Sequence, residues 1–311
     1  MPAIKNIKPV IKHDSLVTLQ KNVMIVSISG AGGFIGKALT RACHEKGWTT
    51  KSINRGSFGM PADEFRKEKI EGCDVVINLA GASISKRWDE AYKKEIYDSR
   101  IGSTNKIVNA IRESSVKPGL LISVSGTDIY DNTRTHDEDS TSFSDSFLGN
   151  VCRDWEMEAL NAPGTVRVVI PRMGMVLGED GGALSSMYLP FSLGLGAKIG
   201  KGSQWISFIH IKDLVNAFLF IIEHNELSGP VNLVSPYPVT NAEFSSTFGK
   251  VLKQPVFLAL PGGILKLIYG EGSVLLLKGH KVLPGKLTLM GFHFKYPTIT
   301  NALVNLFGKS F

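Results

Sequence analysis

The sequence predicts an α/β fold: a doubly wound parallel sheet with helices on both faces, plus a small α/β lobe at the C-terminal end. Three observations carry that prediction. A β-branched apolar run, Val23 to Ser29, leads straight into the glycine loop Gly30-Ala-Gly-Gly33-Phe-Ile-Gly36 and then into helical periodicity. Strand-like and helix-like segments alternate from there to Arg172. The 311 residues, 43% of them hydrophobic, suffice for one large core and a smaller lobe.

Taken in order, Ile35 to Lys46 reads as a helix closed by Gly47, and Thr49 to Ile53 as the second strand. Asp74 to Gly81 is a buried strand ending in a glycine turn, followed by a helix from Asp89 to Ser114. A strand at Leu120 to Ser125, a helix around Leu148 to Asn161 and a strand at Val166 to Ile170 complete the alternation. Such a series implies parallel strands joined by right-handed crossovers. Beyond Arg172 the glycines crowd, and the loops of residues 173–208 should border the ligand cleft, because ligands sit past the carboxyl ends of the strands. A helix from Ile209 to Glu223 follows, with Asp213 placed to cap it, then a strand at Val231 to Val234. Next comes a helix from Asn241 to Leu252, introduced by a capping box of Thr240 and Glu243. The chain thus divides into an N-terminal extension (1–22), a nucleotide-binding domain (23–225) and a small C-terminal lobe (226–311).

Composition narrows the function classes. Cys43, Cys73 and Cys152 form neither a CxxC pair nor an even framework, which predicts reduced thiols and a cytoplasmic setting. The net charge of +7 is dispersed and forms no basic stripe, so nucleic acid is not the expected partner. No apolar run is long enough to span a bilayer, and no His/Cys/Asp cluster has metal-ligand spacing. A small molecule is the expected ligand, and the chain a monomer or homodimer.

The glycine loop says which kind of ligand. In a strand-loop-helix context spaced GxxGxxG, Gly30 permits the turn, Gly33 lets the backbone approach a pyrophosphate, and Gly36 lets the helix pack on the sheet. That is the Rossmann dinucleotide site, with Phe34 and Ile35 inside the loop. At the end of the second strand an acid would accept from the ribose hydroxyls of NAD(H), whereas an arginine pairs with the 2′-phosphate of NADP(H). The residues are Asn54 and Arg55, with no acid, which favours NADP(H) over NAD(H). Arg41, further along the helix, either helps or is surface charge.

The glycine loop, Asn78-Leu-Ala-Gly81 and Trp205-Ile-Ser-Phe-Ile-His-Ile-Lys-Asp213 together resemble the extended short-chain dehydrogenase/reductase superfamily, which includes nucleotide-sugar epimerases and dehydratases. Lys86 to Arg100, Phe147 to Glu156 and Pro238 to Glu243 resemble an atypical branch of it, the epimerase family proteins, which ends in a small domain of unknown function. The resemblance implies that Leu79, Ala80 and Gly81 border the cofactor. It further implies that Ser125 orients a substrate oxygen, and that Arg100, in the place of a structural asparagine, brings a cation towards the cofactor if it faces inward. The typical superfamily site has a Tyr-x-x-x-Lys pair, in which the lysine lowers the phenol's pKa and holds the nicotinamide ribose. Here the same register gives Leu148 and Cys152.

Other groups are therefore weighed for the missing roles. Tyr130, in a loop expected to border the cleft, is the best remaining phenol, with Asp128 beside it; the alternative is packing or a contact to the ribose. Cys152 is either a reactive thiol or a small buried hydrophobe. His210 reads as a satisfied histidine rather than a base. Arg172, Gln204 and Trp205 either line a substrate pocket or pair structurally, and Trp88 either covers a ligand or packs. Two functions remain. One is an NADP(H)-dependent epimerase or reductase acting on a nucleotide sugar or carbonyl compound with non-standard acid/base residues. The other is a decayed cofactor-binding regulatory protein, in a branch whose members have carried the label of cell-division inhibitor.

Overall fold

In the computed structural model, which describes residues 23–308, the apolar run before the glycine loop forms strand β1 (Ile25–Ser29), and the loop feeds helix α1 (Phe34–Glu45). The N-terminal extension expected at 1–22 lies outside the described residues. Strands β2 (Thr49–Ile53), β3 (Val75–Asn78), β4 (Leu120–Ser123), the short β5 (Ser125–Gly126), β6 (Arg167–Met173) and β7 (Gly229–Leu233) make one parallel sheet. Its order is β7-β6-β4-β3-β1-β2, with β5 pairing with β6. From β1 the sheet is built outward in both directions, so the connections that leave the carboxyl ends of β1 and β3 part and leave a crevice there.

Period-two alternation explains the two layers. Val75 and Ile77 in β3 and Leu120 and Ile122 in β4 enter one core, with Leu39 of α1 and Phe218 of α4 (Ile211–Glu223). Val76 and Leu121, on the opposite pleat, enter a second core with Ile107 and Ile111 of α2 (Glu90–Glu113). Asp89 caps α2 by accepting from the Tyr92 amide, and α3 (Phe147–Leu160) packs alongside it. Both faces are covered, which is why the central strands carry apolar residues on both pleats.

Two expectations are corrected. The strand placed at Val231–Val234 in the C-terminal lobe is instead β7 of the main sheet, with Val231 opposite Pro171 of β6. α4 supplies the crossover, and Val231 and Leu233 are fully buried between layers, so a boundary at 225/226 would cut the sheet. The cap of α4 is also not Asp213. His210 Nδ1 accepts from the Lys212 amide at 3.1 Å, and burial lowers the imidazole's pKa to about 4, keeping it an acceptor. Asp213 lies in the first turn and accepts from the Lys295 and Tyr296 amides at 2.9 and 2.8 Å, which fastens the C-terminal segment to α4.

A further core forms where Phe191 and Phe208 meet Phe244 and Phe248 of α5 (Asn241–Val251) and Leu303 of α6 (Ile299–Phe307). Short strand pairs sew this lobe to the sheet domain. Ala197–Ile199 runs parallel to Leu258–Leu260, and Trp205–Ile206 antiparallel to Val239–Thr240. Lys281–Val282 runs parallel to Thr135–His136.

Gly36 sets how closely α1 approaches the loop before it. A Cβ there would lie 2.2 Å from the Gly30 carbonyl oxygen and 2.7 Å from Ala31 Cα, both backbone atoms that cannot swing away. Gly36→Ala should cost about 1–3 kcal/mol of stability through overpacking. Urea unfolding followed by circular dichroism would read this as a lowered midpoint, and an unchanged midpoint would show that the approach is not tight.

Candidate cofactor crevice and active site

At the amino end of α1 the loop is held open. Gly30 takes a left-handed φ of +70°, and the Gly33 amide donates to Gly30 O at 2.9 Å. A Cβ on Gly32 would meet nothing within 4 Å, and no side chain caps α1. The first-turn amides of Phe34, Ile35 and Gly36 are therefore left for an anion, reinforced by the helix dipole. The side chains of Phe34 and Ile35 are committed elsewhere. A Cβ on Gly178 would lie 2.4 Å from Phe34 Cζ and one on Gly181 2.7 Å from its Cγ, so that glycine-rich segment lies over the ring; Ile35 packs on the sheet core.

Opposite this loop, a buried polar clasp that sequence reading missed shapes Leu79-Ala80-Gly81. Ser29 Oγ donates to Asn78 Oδ1 at 2.6 Å and accepts from the Leu79 and Ala80 amides at 2.9 and 3.0 Å. Asn78 Nδ2 donates to Thr104 Oγ1 at 2.8 Å, which also accepts from Trp155 Nε1 at 2.9 Å. An asparagine and a serine at the ends of two apolar strands were the available signal, since buried polar side chains need partners. Arg100 does face inward. Its guanidinium lies against Gly81, where a Cβ would come within 3.0 Å of Cζ, and donates to Ala82 O at 3.1 Å and Ile96 O at 3.0 Å. Burial lowers its pKa from the ordinary guanidinium value.

At the end of β2, Asn54 Oδ1 accepts from the Ser57 amide at 3.0 Å and builds the turn, so its side chain is occupied. Arg55 is exposed and makes no ion pair among the described residues. Lys37, Thr40 and Arg41 line a groove that runs from Ala31 along α1.

Ser125 and Cys152 meet beyond β4, with Leu148 one helical turn before Cys152 on α3. Ser125 Oγ is buried, meets the Cys152 thiol only weakly and has no full hydrogen bond. Burial pushes the Cys152 thiol up to about 12, so at neutral pH it is a protonated thiol and no nucleophile. Leu148 lines a cavity of about 450 Å³, with Asp128, Asp131, Ser146, Lys278 and His280 among its walls. Asp128 had been noted only as a neighbour of Tyr130, and nothing in the sequence pointed to His280, because the pairing of Lys281–Val282 with Thr135–His136 alone brings it here.

Tyr130 is not on the cleft. It is fully buried and stacked on His136; its hydroxyl donates to Asn232 Oδ1 at 2.9 Å and accepts from Arg172 Nη1 at 2.8 Å. Burial pushes its pKa up, the wrong direction for a base, although Arg172 pulls against it. Arg172 in turn forms a buried two-pronged pair with Glu156, at 2.8 and 2.7 Å, and at 4% exposure it presents no open face to a substrate. Gln204 Nε2 is spent on Ile199 O and Leu276 O, and Trp205 lies under Lys281 at 4.4 Å. Trp88, 5% exposed, donates from Nε1 to Ile84 O and packs edge-on against Phe147. These four residues serve packing, where a substrate wall was an open reading.

Two outcomes follow from this geometry. Glu156→Gln leaves the Arg172 charge buried without its counter-ion and should cost about 3–5 kcal/mol in urea unfolding; a loss below about 1 kcal/mol would mean that solvent reaches the pair. Ellman's reagent at pH 8 should find fewer than one reactive thiol per native chain and three after unfolding, because all three cysteines are buried and Cys43 is likewise pushed up, to about 11. Rapid reaction of native Cys152 would restore it as a nucleophile.

Comparison with known proteins places this architecture. The NAD dependent epimerase/dehydratase family matches residues 26–234, and a domain of unknown function (DUF1731) matches residues 260–306. The "Epimerase family protein SDR39U1 homolog, chloroplastic" of Arabidopsis thaliana is 38% identical over 302 residues, covering 91% of this chain and 87% of its own. Epimerase family protein SDR39U1 of Mus musculus is 37% identical over 288 residues, covering 90% and 98%. The crystal structure of human epimerase family protein SDR39U1 (isoform 2) with NADPH superposes with a TM-score of 0.86 at 35% identity, covering 92% of this chain and all of that one. The match spans the glycine loop and the parallel sheet, and the chain belongs to the NAD dependent epimerase/dehydratase family.

Proposed function

We propose that this chain binds NADP(H) in the crevice between β1 and β3 and uses it for redox chemistry on a hydroxyl- or carbonyl-bearing small molecule, as a reductase or epimerase. The observation that carries the reading is the uncapped amino end of α1 behind an open Gly32, with the unpaired Arg55 at the end of β2 and no acid there. The first-turn amides would hold the pyrophosphate, Arg55 the 2′-phosphate, and the loop Leu79-Ala80-Gly81 the adjoining ribose. Arg41 adds a cation along the groove beside α1. The crystallisation of the human relative with NADPH agrees with this fit.

When bound, the nicotinamide supplies a hydride equivalent. The chain's part is to enclose it, orient the substrate and move a proton. Ser125, buried without a full hydrogen bond, is suited to hold a substrate oxygen. The loops of residues 173–208 and the lobe beyond form the substrate-side wall in this reading. The cavity beside Leu148 favours an active enzyme over a decayed regulator, because charged groups line it. A cytoplasmic setting is consistent with three free cysteines.

Arg55→Ala should weaken NADPH binding about tenfold or more and leave NADH almost unchanged, because only NADPH carries the 2′-phosphate. Titration of the nicotinamide fluorescence measures both. Equal losses would remove the 2′-phosphate assignment.

A further inference from the structure

The departure at Leu148 and Cys152 leaves the cleft without the phenol and ammonium that normally move the proton, yet the cavity beside Leu148 carries two titratable groups that the fold brings together from distant sequence. Asp128 sits in the short helical turn after β5, with its carboxylate beside Gly126 and the Cys152 thiol. His280 precedes the strand Lys281–Val282, and its Nε2 faces Asp128 Oδ1 at 3.9 Å. That gap is too long for a direct hydrogen bond and leaves room for a substrate oxygen or a water to bridge it. The tautomer is fixed from behind. His280 Nδ1 lies 2.9 Å from the Asp131 carbonyl oxygen, which can only accept, so Nδ1 carries hydrogen and Nε2 is the working nitrogen. Both side chains reach the cavity and neither is sealed, with 30% of Asp128 and 15% of His280 exposed.

We propose that Asp128 and His280 form the acid/base pair of this cleft, across the cavity from the register position that Leu148 occupies. The proposal rests on the NADP(H) reading above. In the reducing direction the carbonyl carbon gains the hydride from NADPH while the pair gives its proton to the carbonyl oxygen, yielding alcohol and NADP⁺; the pair then takes a proton back from water. In the oxidising direction Nε2 or the carboxylate removes the hydroxyl proton as the carbon gives its hydride to NADP⁺, yielding carbonyl and NADPH, so charge and atoms balance both ways.

The electrostatic surroundings suit a group that holds its proton. Burial raises the Asp128 carboxyl above the ordinary aspartate range, while His280 and the inward-facing Arg100 pull it back. Cys152 faces the carboxylate as a neutral thiol. On the His280 side stand Lys278 and the carboxylate of Asp131, which is itself engaged by Ser142, Thr133 and His136. No other carboxylate is as close to Nε2 among the described residues.

A structural tie between the turn and the C-terminal segment would show the same contact in the free protein, so the test must sense the nicotinamide. Its ring is neutral in NADPH and cationic in NADP⁺, and the rest of the two molecules is the same. In protein labelled with ¹³C-aspartate, the carboxyl resonance of Asp128 is identified by its loss in Asp128→Asn and titrated in both complexes. A cation within about 6 Å favours the carboxylate, so the midpoint should fall by about one pH unit on going from the NADPH to the NADP⁺ complex. His280→Gln, which removes the imidazole that pulls the Asp128 carboxyl down, should raise the midpoint in both complexes. Equal midpoints in the two complexes, or no response to His280→Gln, overturn the pair while leaving the cofactor reading intact. Failure to bind either nucleotide in the fluorescence titration overturns the cofactor reading and the pair with it.

Discussion

Arg172 carries a positive charge into the interior at the carboxyl end of β6, and the region around the cleft is arranged to tolerate it. Burial alone disfavours the cation, but two hydrogen bonds that it donates to the Glu156 carboxylate outweigh that and hold the guanidinium well above its ordinary pKa. The Tyr130 hydroxyl takes a further N–H and passes the network to Asn232 of β7, whose side-chain amide continues to Leu283 O. One charge thereby joins α3, two sheet strands, the loop after β5 and the C-terminal segment. Removing any member leaves a buried polar group unpaired, so these elements keep a fixed relation to one another.

That fixed relation matters because both sides of the crevice are made of segments that cannot position themselves. The loop after β3 is set by Ser29 and Asn78, and its flank by Arg100. β5 and the turn after it carry Ser125 and Asp128 beside Cys152, and the turn is anchored by Tyr130 three residues past Thr127, which the network holds through Arg172 and Asn232. Residues that looked like substrate contacts from their place at strand ends thus act one layer back, holding the backbone that does face the ligand.

The fold was largely legible because its signals are local. A strand that drops into GxxGxxG, a capped helix beginning after Asp89, and apolar strands bounded by turns each follow from a few neighbouring side chains. The glycines were legible for the same reason, since a left-handed φ or a close backbone approach has few chemical solutions. The partners of Arg172, Tyr130 and Gln204 were not legible. A strand-end arginine is equally suited to a phosphate and to a carboxylate sixteen residues back on a helix, and only the packed structure decides between them. β7 was misassigned because its apolar run suits a lobe as well as a sheet edge, and His280 carried no signal at all because its neighbours are set by a strand pairing between distant segments.

The pairing of Lys281–Val282 with Thr135–His136 also orders events in time. The strands and loops that border the β1–β3 crevice lie within the first half of the chain, whereas the histidine that lines the polar cavity comes with a strand near the end. Contacts of such long sequence separation form late, after the loop-closure entropy has been met by the core. The strands that border the nucleotide crevice therefore leave a ribosome well before the segment that supplies the last wall of the cavity beside it.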